Sequence, residues 1–493
     1  MNNILTGIKE KNNLILLVLI SVAAFLRFYD LGSQSLWYDE HFTWYVAQME
    51  SYKELLNFIT TKDVHPPLYY SIQYLIVHYL GDSEFWLRLP SAISGVLSVF
   101  FMYILGKQFF NKETGLISAF FLTFFWYPIY FSHEARSYSV ALLFLMIFII
   151  NYLMVLNRIS QDKKPEPKNI TGLIIFGILL SYTHYYGLLA VFLFGIFSFI
   201  INIRSVNRFF KVFTYFFIIF LAYLPWIKNL LVLTEISQLW MPVLTPLGFF
   251  SSIAYVFTND KTIFLIIVPF YLFAGFVLLR EIIKGQVEQQ NIKFFNKNIF
   301  LILWLTVPYV IFMVKSWIST PSYTLKHFFV SLPAAYLILA YGITKIRIFK
   351  KSSYFIAFLI TMIPFLYINF YLNNFWGHTP YREAMIYVDK HSSASSKNLL
   401  VVEGDFYIDL PVDYIKYYLR KSNKDYYTKA LSDEKENVKE VVKTINNKNI
   451  NHFWLISDRL FRQEHNFSIL NKNFKIADST SLPGLKLIKF KNK

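Results

Sequence analysis

The chain reads as an α-helical polytopic membrane protein of about eleven transmembrane helices carrying a small C-terminal α/β extracytoplasmic domain. Three observations predict this. The 493 residues are 55% hydrophobic and only 16% charged, with a mean hydropathy of +0.40, too apolar for a soluble globule. Apolar runs near the thickness of a bilayer recur along three-quarters of the chain. After residue 372 the composition turns abruptly charged and Asn/Ser-rich. Two domains follow: residues 1–372 as the membrane module and 373–493 as the separate domain.

The apolar runs fall at 14–29, 86–106, 114–132, 138–156, 171–183, 187–203, 212–233, 262–280, 299–316, 327–344 and 354–372. The first follows Lys9 and Lys11 and has no small-residue cleavage site, so it reads as a retained helix rather than a signal peptide. The stretch 171–203 suits one long tilted helix or two short ones meeting at His184, and two preserve the charge alternation. With the N-terminus cytoplasmic, 19 of the 28 Lys and Arg before residue 373 lie in cytoplasmic loops, as the positive-inside rule expects. That distribution accounts for the net charge of +17 without nucleic acid as a partner. It also puts the loop 31–85 and the C-terminal domain outside, in a multi-pass protein of the cell membrane, expected to be a bacterial plasma or inner membrane. In that domain 382–390, 410–419 and 434–446 read as helices, and 398–402, 452–456 and 485–490 as strands. The absence of Cys excludes disulfides, thiolate chemistry and Cys-ligated metals.

Residues that carry chemistry cluster on the outer face. Leu36-Trp37-Tyr38-Asp39-Glu40 sets two carboxylates among aromatics at the membrane surface. Desolvation there disfavours the charged carboxylate and makes Asp39 a competent general base, an effect that Glu40 reinforces; the same pair also suits a helix N-terminus in a solvated turn. In Asp63-Val64-His65-Pro66-Pro67-Leu68-Tyr69-Tyr70 two prolines stiffen the chain before a short amphipathic helix. His65 is thereby presented to phosphate oxygens or a metal, with Asp63 to orient it, unless it is an ordinary surface histidine. Arg88 at the start of the second span, and Arg136 in Ser132-His133-Glu134-Ala135-Arg136-Ser137-Tyr138, are cations at costly positions, suited to phosphate or to interfacial snorkelling. His184 with Tyr185, and Lys326 with His327, are able to complete a polar site or to anchor at the interface. Carboxylates, imidazoles and cations on one membrane face suit an anionic lipid headgroup and a deprotonated nucleophile.

In order and spacing, these segments, with Gly81-Asp82-Ser83-Glu84-Phe85 and Leu87-Arg88-Leu89-Pro90-Ser91-Ala92, resemble the protein O-mannosyltransferases and lipid A aminoarabinose transferases of the GT-C superfamily. The resemblance implies a GT-C fold and a transferase that takes a sugar from a polyprenyl-phosphate donor with inversion. It implies Asp39 as the base with Glu40 in support, and Arg88, Arg136 and His65, joined by Lys326 and His327, on the donor phosphate. Glu134 and Asp63 would orient these cations or, with His65, hold a divalent metal, on which the relatives differ. The implied acceptor is a hydroxyl of a glycan, lipid or protein. Lipid A transferases tend to carry Lys where this chain has His65, relatives often have Arg-Tyr where it has Lys326-His327, and the β-trefoil insert of the eukaryotic mannosyltransferases has no counterpart here. A sugar or lipid transporter or flippase is the competing class. It would place its charges near the bilayer midplane rather than at one face.

Overall fold

A computed structural model of the chain describes residues 2–63, 65–232, 241–258, 260–287, 297–348, 351–367, 380–392, 398–403, 417–420, 422–431, 438, 441–445, 450–458, 464–483 and 485–492. The chain divides into two compact units, Met1–Leu31 with Val46–Phe375, and Gly32–Tyr45 with Trp376–Lys493. The segment 32–45, which the sequence suggests belongs to the membrane module, thus groups by contact with the C-terminal residues.

The helices up to residue 223 are α1 (Asn2–Phe28), α2 (Tyr38–Ala47), α3 (Tyr52–Lys62), α4 (Leu68–Tyr79), α5 (Glu84–Phe109), α6 (Lys112–Phe124), α7 (Trp126–Tyr130), α8 (Tyr138–Ser160), α9 (Pro167–Thr183), α10 (Tyr185–Asn202) and α11 (Val206–Tyr223). Helices Pro246–Phe257, Val268–Val287, Lys297–Ile318, Leu332–Thr344 and Ser352–Leu366 follow. The described residues of each apolar run are mainly helical, residues 233 and 368–372 lying outside the described residues, and 171–203 is two helices that break at His184. Among the described residues, five helices are long and apolar enough to cross a membrane: Glu84–Phe109, Tyr138–Ser160, Tyr185–Asn202, Val206–Leu231 and Lys297–Ile318. A sixth arises if the bent pair Lys112–Phe124 and Trp126–His133 counts as one. Pro246–Phe257 is a helix that the list of runs does not include.

The bend in that pair is 57°. A break in a helix frees backbone carbonyls, and an apolar surrounding supplies nothing to satisfy them. Arg27 of α1, fully buried, does so: its Nη2 donates to the Leu122 carbonyl at 2.7 Å and its Nη1 to that of Thr123 at 3.4 Å. The chain beyond the bend then runs through the turn Phe131–His133 to Glu134 and Arg136. Gly95 of α5 makes room for it, because a Cβ there would lie 2.1 Å from Ser132 Oγ and 2.8 Å from Arg27 Nε. The Ser132 hydroxyl has little freedom to retreat, since it donates to the Pro128 carbonyl at 2.5 Å. Replacing Gly95 with alanine should therefore cost about 1–3 kcal/mol through overpacking, lowering the melting temperature of the detergent-solubilised protein. An unchanged melting temperature would refute the close approach.

The second unit holds a five-stranded sheet of β1 (Asn398–Glu403), β2 (Tyr426–Leu431), β3 (His452–Asp458), β4 (Phe474–Leu482) and β5 (Leu485–Asn492), in the order β2-β1-β3-β5-β4. β1 runs parallel to β2 and β3, whereas β5 is antiparallel to β3 and β4. Alternation along the strands divides two cores. Leu399, Val401, Phe453, Leu455 and Phe490 pack with Val441, Ile445 and Leu470, while Leu400, Val402, Trp454, Ile456 and Leu487 pack with Ala384, Met385 and Val388 of the helix Tyr381–His391. The three strands and the helix over 382–390 read from sequence are present, and β2 and β4 are additional. Of the helix expected over 434–446, residues 438 and 441–445 are helical; of that over 410–419, residues 417–419 are; the remainder of each lies outside the described residues.

Candidate active site

In the first unit the fold gathers four stretches that are distant in sequence. Asp63 is the C-cap of α3, in extended conformation. His65 follows, and the two prolines lead into α4, with Pro67 as its N-cap. Arg136 stands between the turn Phe131–His133 and Ser137, the N-cap of α8. His184 is at once the C-cap of α9 and the N-cap of α10. Lys326 and His327 occupy the 3-10 helix Leu325–Val330, where the His327 ring accepts from the Thr324 amide at 3.0 Å.

His65 joins the first two stretches. Its Nδ1 lies 3.0 Å from Asp63 Oδ1, and its Nε2 lies 3.1 Å from Arg136 Nη2. A guanidinium only donates, so Nε2 accepts and Nδ1 carries the proton that is given to Asp63. Carboxylate, imidazole and guanidinium are thus linked in series, and the tautomer of His65 is fixed at both ends. Both ring nitrogens are engaged, so His65 holds Arg136 in place rather than reaching outward. Burial raises the carboxyl of Asp63, but the pairing with His65, the hydroxyl of Tyr70 and the charge of Arg136 outweigh it, leaving the group below its ordinary value of 3.8. Tyr70 is displaced well upward, first by burial and then by the Asp63 charge, and so remains a donor.

Rings connect this series to the other stretches. The His65 and His184 rings are 6.0 Å apart, His184 is 5.6 Å from Tyr138 and from His327, and His327 stacks on Tyr186 at 4.3 Å. The Lys326 ammonium lies over the Tyr138 ring at 5.8 Å. Nδ1 of His184 accepts from the Tyr186 amide at 3.2 Å, which leaves the proton on Nε2. That N–H is buried and has no hydrogen-bond partner among the described residues.

The remaining predicted residues are placed as follows. Arg88 is buried and its Nη1 donates to the Leu31 carbonyl at 3.1 Å. Glu134 is buried two residues before Arg136, whose amide donates to its carbonyl at 2.8 Å. The Tyr185 hydroxyl accepts from Trp226 Nε1 at 3.2 Å. No group of three or more His, Asp or Glu is arranged to hold a metal among the described residues, so Glu134, Asp63 and His65 do not form one there. Asp39 and Glu40 lie in the second unit, in the first turn of α2. The buried carboxylate of Glu40 accepts from the Trp37 amide at 3.3 Å, bracing the helix start, and Asp39 is half-buried. Sequence reasoning assigned no role to Tyr70 or Tyr138. The only signal was their place within or beside the motifs.

The Asp63 contacts have a pH consequence. A depressed carboxyl favours the folded state above its unfolded value and loses that contribution as pH falls through its folded value, below 3.8. In His65→Ala burial is less opposed and the folded value rises. The midpoint of acid unfolding should then move to higher pH; an unmoved midpoint would show that His65 is not what holds the carboxyl down.

Residues 64–227 match the family model described as Dolichyl-phosphate-mannose-protein mannosyltransferase. No curated protein matches by sequence. Among solved structures, ArnT from Cupriavidus metallidurans in the apo state aligns over 96% of this chain and 97% of its own, with 9% identity and a TM-score of 0.59. The same protein bound to undecaprenyl phosphate aligns over the same shares with 11% identity and a TM-score of 0.54. The archaeal oligosaccharyltransferase AglB from Archaeoglobus fulgidus, in complex with an inhibitory peptide and a dolichol-phosphate, aligns over 98% of this chain and 74% of its own, with 12% identity and a TM-score of 0.53. In fold, and in the sequence pattern of residues 64–227, this multi-pass membrane chain is similar to the GT-C glycosyltransferases of the PMT/ArnT-like type.

Proposed function

We propose that the protein moves a sugar from a polyprenyl-phosphate donor to an acceptor hydroxyl at the extracytoplasmic face, with inversion. The observation that carries this reading is the set of buried Arg136, His184 and His327 with half-buried Lys326, in which the one carboxylate of the hydrogen-bonded series, Asp63, is spent on His65. A site rich in cations and N–H donors, away from water, suits a phosphate that gains negative charge. The donor's lipid is supported by the undecaprenyl phosphate and dolichol-phosphate of the two similar structures. About eleven spans, a cytoplasmic N-terminus and an external C-terminal unit complete the proposed topology, on the strength of the loop charges.

In the proposed step Asp39 takes the proton of the acceptor hydroxyl, and the acceptor oxygen bonds to the anomeric carbon. The bond from that carbon to the phosphate oxygen breaks, and its electron pair leaves with the polyprenyl phosphate. The leaving group carries one more negative charge than it did in the donor. Arg136 and Lys326 oppose that charge, the His184 N–H donates to it, and His65 keeps the guanidinium in place. Glu40 acts by holding the helix turn on which Asp39 sits.

Sugar transfer by the purified protein in nanodiscs, with a panel of radiolabelled polyprenyl-phosphate sugars, tests the reading. Asp39→Asn should abolish turnover and keep donor binding. Arg136→Ala should weaken donor binding by about 1.5–3 kcal/mol, the worth of a hydrogen bond to a charged group, and His65→Ala by less. Wild-type turnover in Asp39→Asn excludes the base. Binding without transfer across the panel excludes the enzyme class.

A further inference from the structure

Residues 32–45 pack with the C-terminal residues through contacts that bracket Asp39. Upstream, the guanidinium of Arg382 gathers three successive carbonyls: Nη1 donates to Ser33 at 2.5 Å, and Nη2 to Gly32 at 3.0 Å and Gln34 at 3.3 Å. The Arg382 amide donates to Ser35 Oγ at 3.0 Å, and that hydroxyl donates to Glu383 Oε2 at 3.2 Å. The Leu36 amide donates to the Tyr418 hydroxyl at 2.8 Å. Downstream, the ring of His41 meets those of Tyr417 and Tyr418 edge-on at 5.4 and 5.6 Å. Ser35, Leu36, Glu40 and His41 are buried, whereas Asp39 between them is half-buried and Tyr38 is exposed.

We infer that the C-terminal unit is a clamp that orients Asp39, with Arg382 and Tyr418 as its positioning residues. The inference rests on the proposed role of Asp39 as the base. Three carbonyls in a row point at one place only when the chain between them is held in a turn, and a planar fork with several donors suits that geometry where an ammonium does not. Tyr418 receives the buried Leu36 amide one residue before Trp37, whose own amide Glu40 accepts, so the donors entering α2 are met in sequence. The clamp grips the residues on either side of Asp39 and leaves its side chain accessible.

The test uses the full chain in nanodiscs, with steady-state kinetics on a radiolabelled polyprenyl-phosphate sugar and amide hydrogen exchange over residues 32–45. Arg382→Gln should exchange faster there than wild type and lose about 10²-fold in kcat, the effect of displacing a reacting group by an ångström, with the donor KM held within about twofold. Arg382→Lys should recover part of the loss. Tyr418→Phe keeps the ring against His41 and removes only the oxygen; it should show the same split in milder form, and it carries the test if Arg382→Gln fails to fold. Unchanged exchange, full-speed variants, or kcat and KM failing together overturn the clamp. A wild-type protein that turns over no donor defeats the transferase reading instead, and the exchange arm then decides by itself whether the clamp exists.

Discussion

Burial of a guanidinium, which must find fixed acceptors inside the protein, is the constraint from which most of the first unit follows. An arginine removed from water needs oxygens or ring nitrogens at the ends of its fork, and its cost is offset only when they are fixed in place. Arg27 finds them in the carbonyls that a broken helix leaves unmet, so the charge and the break stabilise one another. The break turns the chain towards Glu134 and Arg136. Arg136 in turn finds the Nε2 of His65, which is an acceptor only because Asp63 takes the other proton. A defect in helix geometry and a polar site are two ends of one arrangement, linked through the turn Phe131–His133.

The series Asp63–His65–Arg136 also explains the chemistry of its residue types. Asp63 is spent on His65, so it fixes a tautomer without cancelling the site's positive character. His65, an imidazole with both nitrogens engaged, is a strut, whereas a lysine there would be a further charge. The open donor falls instead to His184, whose Nδ1 is occupied by the amide of Tyr186 because the residue caps a helix. Helix capping and tautomer choice here are the same hydrogen bond.

In the second unit, the carboxylate pair divides its labour by burial. Glu40 turns inward and braces the start of α2, and Asp39, one residue earlier and about 100° round the helix, stays half-exposed. The two readings of this motif are therefore compatible: Glu40 braces the helix N-terminus, and Asp39 is left to the proposed role of base.

The sequence by itself determined the class of protein, the helical runs and the residues worth watching, and favoured a break at His184, because these depend on local composition: apolar length, charge placement, proline, and motifs in a recognisable order. It also showed the alternation of three strands, whose buried faces are written in a period of two. Only the tertiary structure decided that Arg27, an ordinary-looking charge in an apolar run, satisfies a helix break 95 residues away, and that His65 spends both nitrogens inside the protein. It alone assigned residues 32–45 to the C-terminal unit. The strands Tyr426–Leu431 and Phe474–Leu482 were invisible for a different reason: they are the edges of the sheet, and one face of Phe474–Leu482 is solvated. A hydrogen bond between distant residues leaves no periodic trace in the sequence. It exists only once the chain entropy of bringing them together has been offset by everything else that packs.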